Sequence, residues 1–204
     1  MKFLFITFLI LNNIVMAQDT TYYKAKEREG LNVGEKVENF SAQSMRGDTV
    51  SLDALLEKGP LVIVFYRGHW CPICNKHLKK LESNLEKVYE KGAQLIAISP
   101  EKSEFLRKTA DKTNASFTLL YDEGYKISDQ FQLTFQPDSM TRVMYKTVLG
   151  GDLKTAHSDE SQQLPIPATY ILNKEGVVVW RHFDPDYKKR SKIENIIANI
   201  PTYE

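Results

Sequence analysis

The alternation of apolar and polar positions divides the chain into strands and helices. "PLVIVFY" (60–66) and "AQLIAIS" (93–99) are apolar, β-branched runs too short for helices and suited to strands buried on both faces. Between them Ile73, His77, Leu78, Leu81, Leu85, Val88 and Tyr89 recur at spacings of three and four. That spacing predicts one helical face from Pro72 to Lys91, stopped at Gly92. Strand, helix and strand within ~40 residues make a βαβ unit, with parallel strands and a right-handed crossover.

Upstream, "VENFSAQ" and "DTVSL" flank the turn-like "SMRG" and predict a small hairpin. Downstream, Ser99 before Pro100 reads as an N-cap with proline at the first helical position, opening a helix over 101–113. "FTLLYD" supplies a third strand and "YKISDQFQL" a short helix, whereas 134–165 has little periodicity and is expected as an irregular or partly helical insertion. "ATYILN" and "VVVWRHF" around "KEG" predict a second hairpin with Gly176 at its turn, and "YKKRSKIENIIANI" a closing amphipathic helix. The expected architecture is α/β: a mixed sheet flanked by helices, parallel in the middle and ending in an antiparallel hairpin.

Composition narrows the setting. A length of 204 residues suits one domain with a real core, and 27 Lys plus Arg against 26 Asp plus Glu leave no overall field to draw the molecule to nucleic acid or an anionic membrane. The first seventeen residues differ from the rest. Lys2 is followed by "FLFITFLILNNIVM", and Val15 and Ala17 occupy the small-residue positions of a secretory cleavage site. The run is interrupted by Asn12 and Asn13 and falls short of the ~20 apolar residues of a membrane span. The expected organisation is a signal peptide at 1–17, a polar flexible leader at 18–29 and one domain at 30–204. The mature protein is then exported, periplasmic or secreted, away from the membrane and in a compartment that oxidises thiols.

The only two cysteines lie in "HWCPICNKH" (69–77). Cys71 follows the strand 60–66 and stands at the N-cap of the next helix, where unpaired N–H groups and the helix dipole favour a thiolate. No acidic residue falls between Glu57 and Glu82, while Lys58, Arg67, Lys76, Lys79 and Lys80 are basic, which lowers the thiol pKa further. Cys74 sits one turn on, so the pattern reads as an exposed attacker and a shielded resolver. A structural staple closing so short a loop would add only about 2 kcal/mol. His69, Cys71, Cys74 and His77 also spell half of a zinc site, but the second half normally comes from a separate segment and none is present. Asn75 stands where a c-type haem motif needs histidine. Neither a metal nor another cofactor is expected. Trp70 and Pro72 flank the pair as a candidate docking surface, and Pro167 precedes the strand "ATYILN".

A strand, "WCPIC" opening a helix, and a later "PIPATYIL" resemble the thioredoxin fold, in which the proline before the later strand is cis and faces the Cys-x-x-Cys pair. "GLNVGEKVENFSAQ", "LVIVFYRGHWCPICNKHLKKLE", "GAQLIAISPE", "LPIPATYILNKEGVVVW" and "DPDYKKR" together resemble the peroxiredoxin-like branch of the alkyl hydroperoxide reductase and thiol-specific antioxidant family, from about Gly30 to the C-terminal helix. The resemblance implies reduction of peroxides by a cysteine that becomes a sulfenic acid and is resolved as a disulfide. It also implies a cis Ile166–Pro167 bond. Its P-x-x-x-T-x-x-C register would put the threonine at Cys71 and the peroxidatic cysteine at Cys74. This chain lacks that threonine, the leading proline and the arginine before the late strand, and Arg67 is the candidate substitute.

Two enzymatic readings follow, both carried by Cys71 and Cys74. One is reduction of hydrogen peroxide or organic hydroperoxides, reset by a thioredoxin-like protein or a small thiol. The other is a thioredoxin-type disulfide reductase or isomerase, in which Cys71 attacks a protein disulfide, Cys74 resolves the mixed disulfide and Pro167 shapes the groove. A copper carrier using two thiols is a third, non-enzymatic reading, whose cysteines are usually spaced further apart.

Overall fold

The computed structural model describes residues 22–202. The signal-peptide segment 1–17 and the start of the leader lie outside the described residues. The chain forms a hairpin of β1 (Ser41–Ser44) and β2 (Thr49–Ser51), then α1 (Leu52–Leu56), β3 (Leu61–Phe65), α2 (Pro72–Glu82), α3 (Leu85–Glu90) and β4 (Gln94–Ser99). It continues through α4 (Ser103–Thr113), β5 (Thr118–Tyr121), α5 (Lys126–Gln130), β6 (Thr134–Phe135), α6 (Ser139–Leu149) and α7 (Leu153–Ala156). It ends with β7 (Leu164–Pro165), β8 (Ala168–Leu172), β9 (Val178–Phe183) and α8 (Ile193–Ala198).

Seven strands make one sheet in the order β2-β1-β5-β4-β3-β8-β9. The centre is parallel, β3 beside β4 and β4 beside β5, and β8 and β9 extend it antiparallel. Strand alternation builds two cores, because successive side chains point to opposite faces. Val62, Val64, Leu95 and Ala97 face α2, α3, α4 and α8, whereas Leu61, Ile63, Phe65, Ile96 and Ile98 face α1 and α5. Both faces are covered, which is why these strands read as unbroken apolar runs.

Four local expectations are corrected. The helix expected from 72 to 91 breaks at Ser83 and Asn84, whose side chains bond the carbonyls of Lys79 and Lys80 and so compete with the helical ladder. Ser99 ends β4 and caps no helix. Glu101 is drawn inward to bond His69, so α4 starts only at Ser103, with Lys102 as N-cap. The insertion is partly helical, as expected, with an eleven-residue α6 started by Asp138, whose carboxylate accepts from the Thr141 amide. The closing helix covers only 193–198, because Tyr187, Arg190 and Ser191 are used as a strap across the Cys-x-x-Cys site.

The Ile166–Pro167 bond is the fourth: no peptide bond among the described residues is cis. Pairing of Leu164 and Pro165 with β6, and donation from the Ile166 amide to the Leu133 carbonyl at 2.9 Å, carry the chain into β8 in the extended trans form. From Tyr22 onward, the segment expected as a flexible leader lies on the domain. The Gln136 amide donates to the Tyr23 carbonyl, and Arg181 donates to the carbonyls of Glu29, Gly30 and Leu31.

Candidate active site

β3 delivers the chain at its carboxyl end to a short loop, Tyr66 to Trp70, that turns into α2. Gly68 in this loop has φ +154°, and a Cβ there would run into the Glu101 carboxylate and the Trp70 indole, so only glycine lets the loop fold this tightly. The turn makes Cys71 the N-cap of α2, with Pro72 at the first helical position. Its Sγ accepts a hydrogen bond from the Cys74 amide at 3.3 Å, and the two cysteines are joined as a disulfide with Cα atoms 5.2 Å apart.

Each sulfur has a guanidinium of its own. Arg67 Nη2 donates to Cys71 Sγ at 3.2 Å, and Arg190 Nη2 to Cys74 Sγ at 3.5 Å. Arg67 is held by a donation from Nη1 to the Tyr145 hydroxyl at 2.9 Å and lies over the Tyr187 ring, 3.9 Å from its centroid. Neither arginine has a carboxylate in ion-pair contact among the described residues. Arg67 Nε and Arg190 Nη1 are buried without a hydrogen-bond partner. Burial lowers both pKa values, that of Arg190 to about 10 with Arg67's charge as the second cause. A buried Arg67 and a half-buried Arg190, with no carboxylate in ion-pair contact among the described residues, are costly to fold around. They make sense where the sulfurs become anionic.

The expected exposed attacker is corrected here: Cys71 is 0% and Cys74 1% accessible. The cause is tertiary, since the strap (184–192) and α6 bring Tyr187, Arg190 and Tyr145 over the disulfide. Trp70 is buried as well. It stacks on Tyr145 with centroids 4.7 Å apart and lies against Gly151, so it is a wall of the site rather than a docking surface. Pro72 alone of the flanking pair is exposed. Pro167 and Arg67 both line a cavity of ≈600 Å³ bounded by α6 and the strap. Arg67, ambiguous in sequence, is 2% accessible and in contact with the sulfur.

The histidines of the H-x-C-x-x-C-x-x-H pattern point elsewhere. His69 Nδ1 is 2.8 Å from Glu101 Oε1, and its amide donates to Oε2 of the same carboxylate at 2.8 Å. His77 Nε2 is 3.3 Å from the Ser191 hydroxyl, and burial, followed by the Arg190 charge, pushes its pKa down to about 3. Among the described residues no cluster of three or more such side chains could hold a metal ion.

Sequence reasoning missed Tyr145, Tyr187, Arg190 and the Glu101 carboxylate. Tyr145 lies in the insertion, where no motif pointed to it. Tyr187 and Arg190 stand in "YKKRSKIENIIANI", which read as the closing amphipathic helix.

A sheet of this order with a Cys-x-x-Cys at the start of the helix after its central strand defines a thioredoxin-like fold. Solved structures agree: peroxidoxin BcpB from Mycobacterium tuberculosis superposes with a TM-score of 0.64 at 18% identity, over 83% of this chain and 96% of that one. The 2-Cys peroxiredoxin of Plasmodium vivax does so at 0.62 and 17%, over 82% and 93%. The chain belongs to the AhpC/TSA family, whose model matches residues 33–181. Chloroplastic peroxiredoxin Q of Triticum aestivum is 30% identical over 165 residues, 79% of this chain and 64% of that protein. The thiol-disulfide oxidoreductase ResA of Halalkalibacterium halodurans is 23% identical over 176 residues, 85% of this chain and 82% of that protein. The chain thus spans less than two thirds of the wheat relative's length.

Proposed function

We propose that the protein is a thiol peroxidase in which Cys71 and Cys74 cycle between dithiol and disulfide. The observation that carries this reading is the guanidinium on each fully buried sulfur. A protein disulfide must bring its own sulfur in line with the attacking thiolate, which a covered sulfur resists. A peroxide is small enough to enter. The matched peroxiredoxin Q supports the same reading, and the ResA match supports the general thiol-disulfide chemistry.

Cys71 is the nucleophile in this scheme. Its sulfur accepts from Arg67 and from the Cys74 amide at the helix N-terminus, whereas Cys74 meets only the longer Arg190 contact. The family register instead marks Cys74 as the attacker, but the stronger stabilisation of a thiolate at Cys71 supports the reading with Cys71 as nucleophile. The Cys71 thiolate attacks the distal oxygen of ROOH, the O–O bond breaks, and RO⁻ takes a proton and leaves as ROH. Cys71 is then a sulfenic acid. The Cys74 thiol attacks its sulfur, water leaves, and the disulfide forms. The peroxide has accepted the two electrons that the dithiol lost. An external small thiol, which like a peroxide can enter the covered site, supplies two electrons and two protons to restore the pair. Arg67 and Arg190 also take the place of the arginine absent before β8.

Export through the 1–17 segment belongs to this proposal, on the strength of the Lys2, apolar and Val15/Ala17 pattern.

The test is stopped-flow mixing of the fully reduced protein with hydrogen peroxide and with cumene hydroperoxide, following Trp70 fluorescence in a W180F background. A rate far above that of a free thiol is expected, with C74S still forming a sulfenic acid that dimedone captures and C71S forming none. A rate like an ordinary thiol's would leave disulfide exchange as the function.

A further inference from the structure

We propose that Ser191 is a positioning residue for the resolving step, seating Arg190 on the Cys74 sulfur. The proposal rests on the peroxidase reading and adds a residue to its second half. There the Cys74 thiol attacks the sulfur of the Cys71 sulfenic acid: the S–S bond forms, the S–O bond breaks, and the Cys74 proton leaves with the hydroxide as water. Cys74 takes on negative charge as its proton departs, and a guanidinium at its sulfur stabilises that charge.

The two arginines are fixed in different ways. Arg67 is gripped at its head, by the Tyr145 hydroxyl at 2.9 Å and by the Tyr187 ring, 3.9 Å from centroid to guanidinium. Among the described residues the Arg190 guanidinium makes one hydrogen bond, to Cys74 Sγ at 3.5 Å, and its Nη1 is buried without a partner. The place of Arg190 therefore depends on where the backbone holds its root. That backbone is irregular, running from the end of β9 at Phe183 to the start of α8 at Ile193. A long side chain on such a segment loses several free torsions on settling, so a fixed root decides whether it settles.

The first part of the strap is bound to itself. The Asp186 amide donates to the Asp184 carboxylate at 2.9 Å, and the Lys188 amide to the Asp186 carboxylate at 3.0 Å. Ser191 instead ties the strap to the domain. Its residue is 5% accessible, and its hydroxyl lies 2.9 Å from Thr169 Oγ1 on β8 and 3.3 Å from His77 Nε2 on α2. A buried hydroxyl with partners on two elements fixes the backbone that carries it. Cys74 and His77 stand three apart on α2 and share one side of it. Neighbouring strap residues, Arg190 and Ser191, thus meet neighbouring turns of one helix.

Two measurements test this, one without peroxide and one with it. In C71S, whose remaining thiol is Cys74, ultraviolet absorbance against pH gives the Cys74 pKa, and S191A should raise it. In C71S carrying R190Q the same substitution should raise it no further, because Ser191 acts through Arg190. The second measurement adds one equivalent of hydrogen peroxide to the reduced protein and follows dimedone-reactive sulfenic acid with time. S191A should lengthen its lifetime by about 3- to 10-fold, the size of one lost hydrogen bond, while the oxidation of Cys71 beside Arg67 changes less. T169V keeps the shape of the buried side chain and makes the same comparisons, with a smaller effect in the same direction, where S191A does not fold. A Cys74 pKa that does not move, or an equal rise with and without Arg190, overturns the proposal whatever the peroxide rates are. A coupled pKa rise in a protein that forms no sulfenic acid overturns the peroxidase reading and the resolving role together, leaving Ser191 a determinant of the Cys74 thiol alone.

Discussion

Arg190 and Cys74, 116 residues apart in sequence, meet at 3.5 Å between Nη2 and Sγ. With Arg67 on Cys71 at 3.2 Å, the disulfide lies between two cations that have no carboxylate in ion-pair contact among the described residues. Reduction creates the anions these cations lack. R67Q should therefore raise the Cys71 thiol pKa and slow peroxide reduction by about 10- to 100-fold, from the ~1.5–3 kcal/mol of a hydrogen bond to a charged group. R190Q should act on the resolving step, with sulfenic acid persisting longer after peroxide addition. Thiolate ultraviolet absorbance against pH, and dimedone labelling against time, separate the two effects. Unchanged pKa and rate in R67Q would remove the arginines from the mechanism.

Trp70 and Gly151 make a second pairing that can be read directly. A Cβ on residue 151 would lie 2.5 Å from Trp70 Cδ2 and 2.7 Å from Cγ. G151A should push the indole off Tyr145 and destabilise the fold by about 1–3 kcal/mol, the usual range for overpacking a filled core. A lowered urea midpoint with unchanged slope, together with a shifted Trp70 emission, is the expected result. Wild-type stability would show that the α6–α7 segment gives way instead.

Buried histidines set a pH dependence. Burial pushes His77 down to about 3 and His157 to about 4, while in the unfolded chain each titrates near 6.5. Between those values the unfolded state binds more protons than the folded one, so stability rises with pH. The contribution is complete above the unfolded value and is lost as pH falls, by about 1.4 kcal/mol per pH unit for each group. Asp122, whose pKa burial raises, works in the opposite sense, so the comparison is made between variants. Urea midpoints of wild type should fall between pH 7 and pH 5, and those of H77N and H157Q should fall less.

The proposed export has a simple readout. Expressed with its own N-terminus in a bacterial host, the protein recovered outside the cytoplasm should begin at Gln18, by intact mass or N-terminal sequencing. An intact Met1 in a cytoplasmic product would reject the leader reading, without touching the peroxidase chemistry.

Much of the fold was legible because it rests on short-range physics. Runs such as Leu61–Phe65 and Gln94–Ser99 alternate between two buried faces and can only be central strands. The Cys71 N-cap followed from strand, loop and proline order alone. Local signals failed where a side chain was claimed from far away. Glu101 left its expected helix to meet His69, and 187–192 left its expected helix to carry Tyr187 and Arg190 to the site. The sequence by itself determined the sheet, the cysteine pair and its place at a helix start, since hydrophobic period and capping are properties of neighbours. Only the tertiary structure decided that the sulfurs are covered, which arginines hold them, and that a cavity stands beside them. Arg67 stands only four residues before Cys71, but the Tyr145 that holds it is 78 residues away and Arg190 is 116 from Cys74, and no periodicity along the chain encodes such meetings.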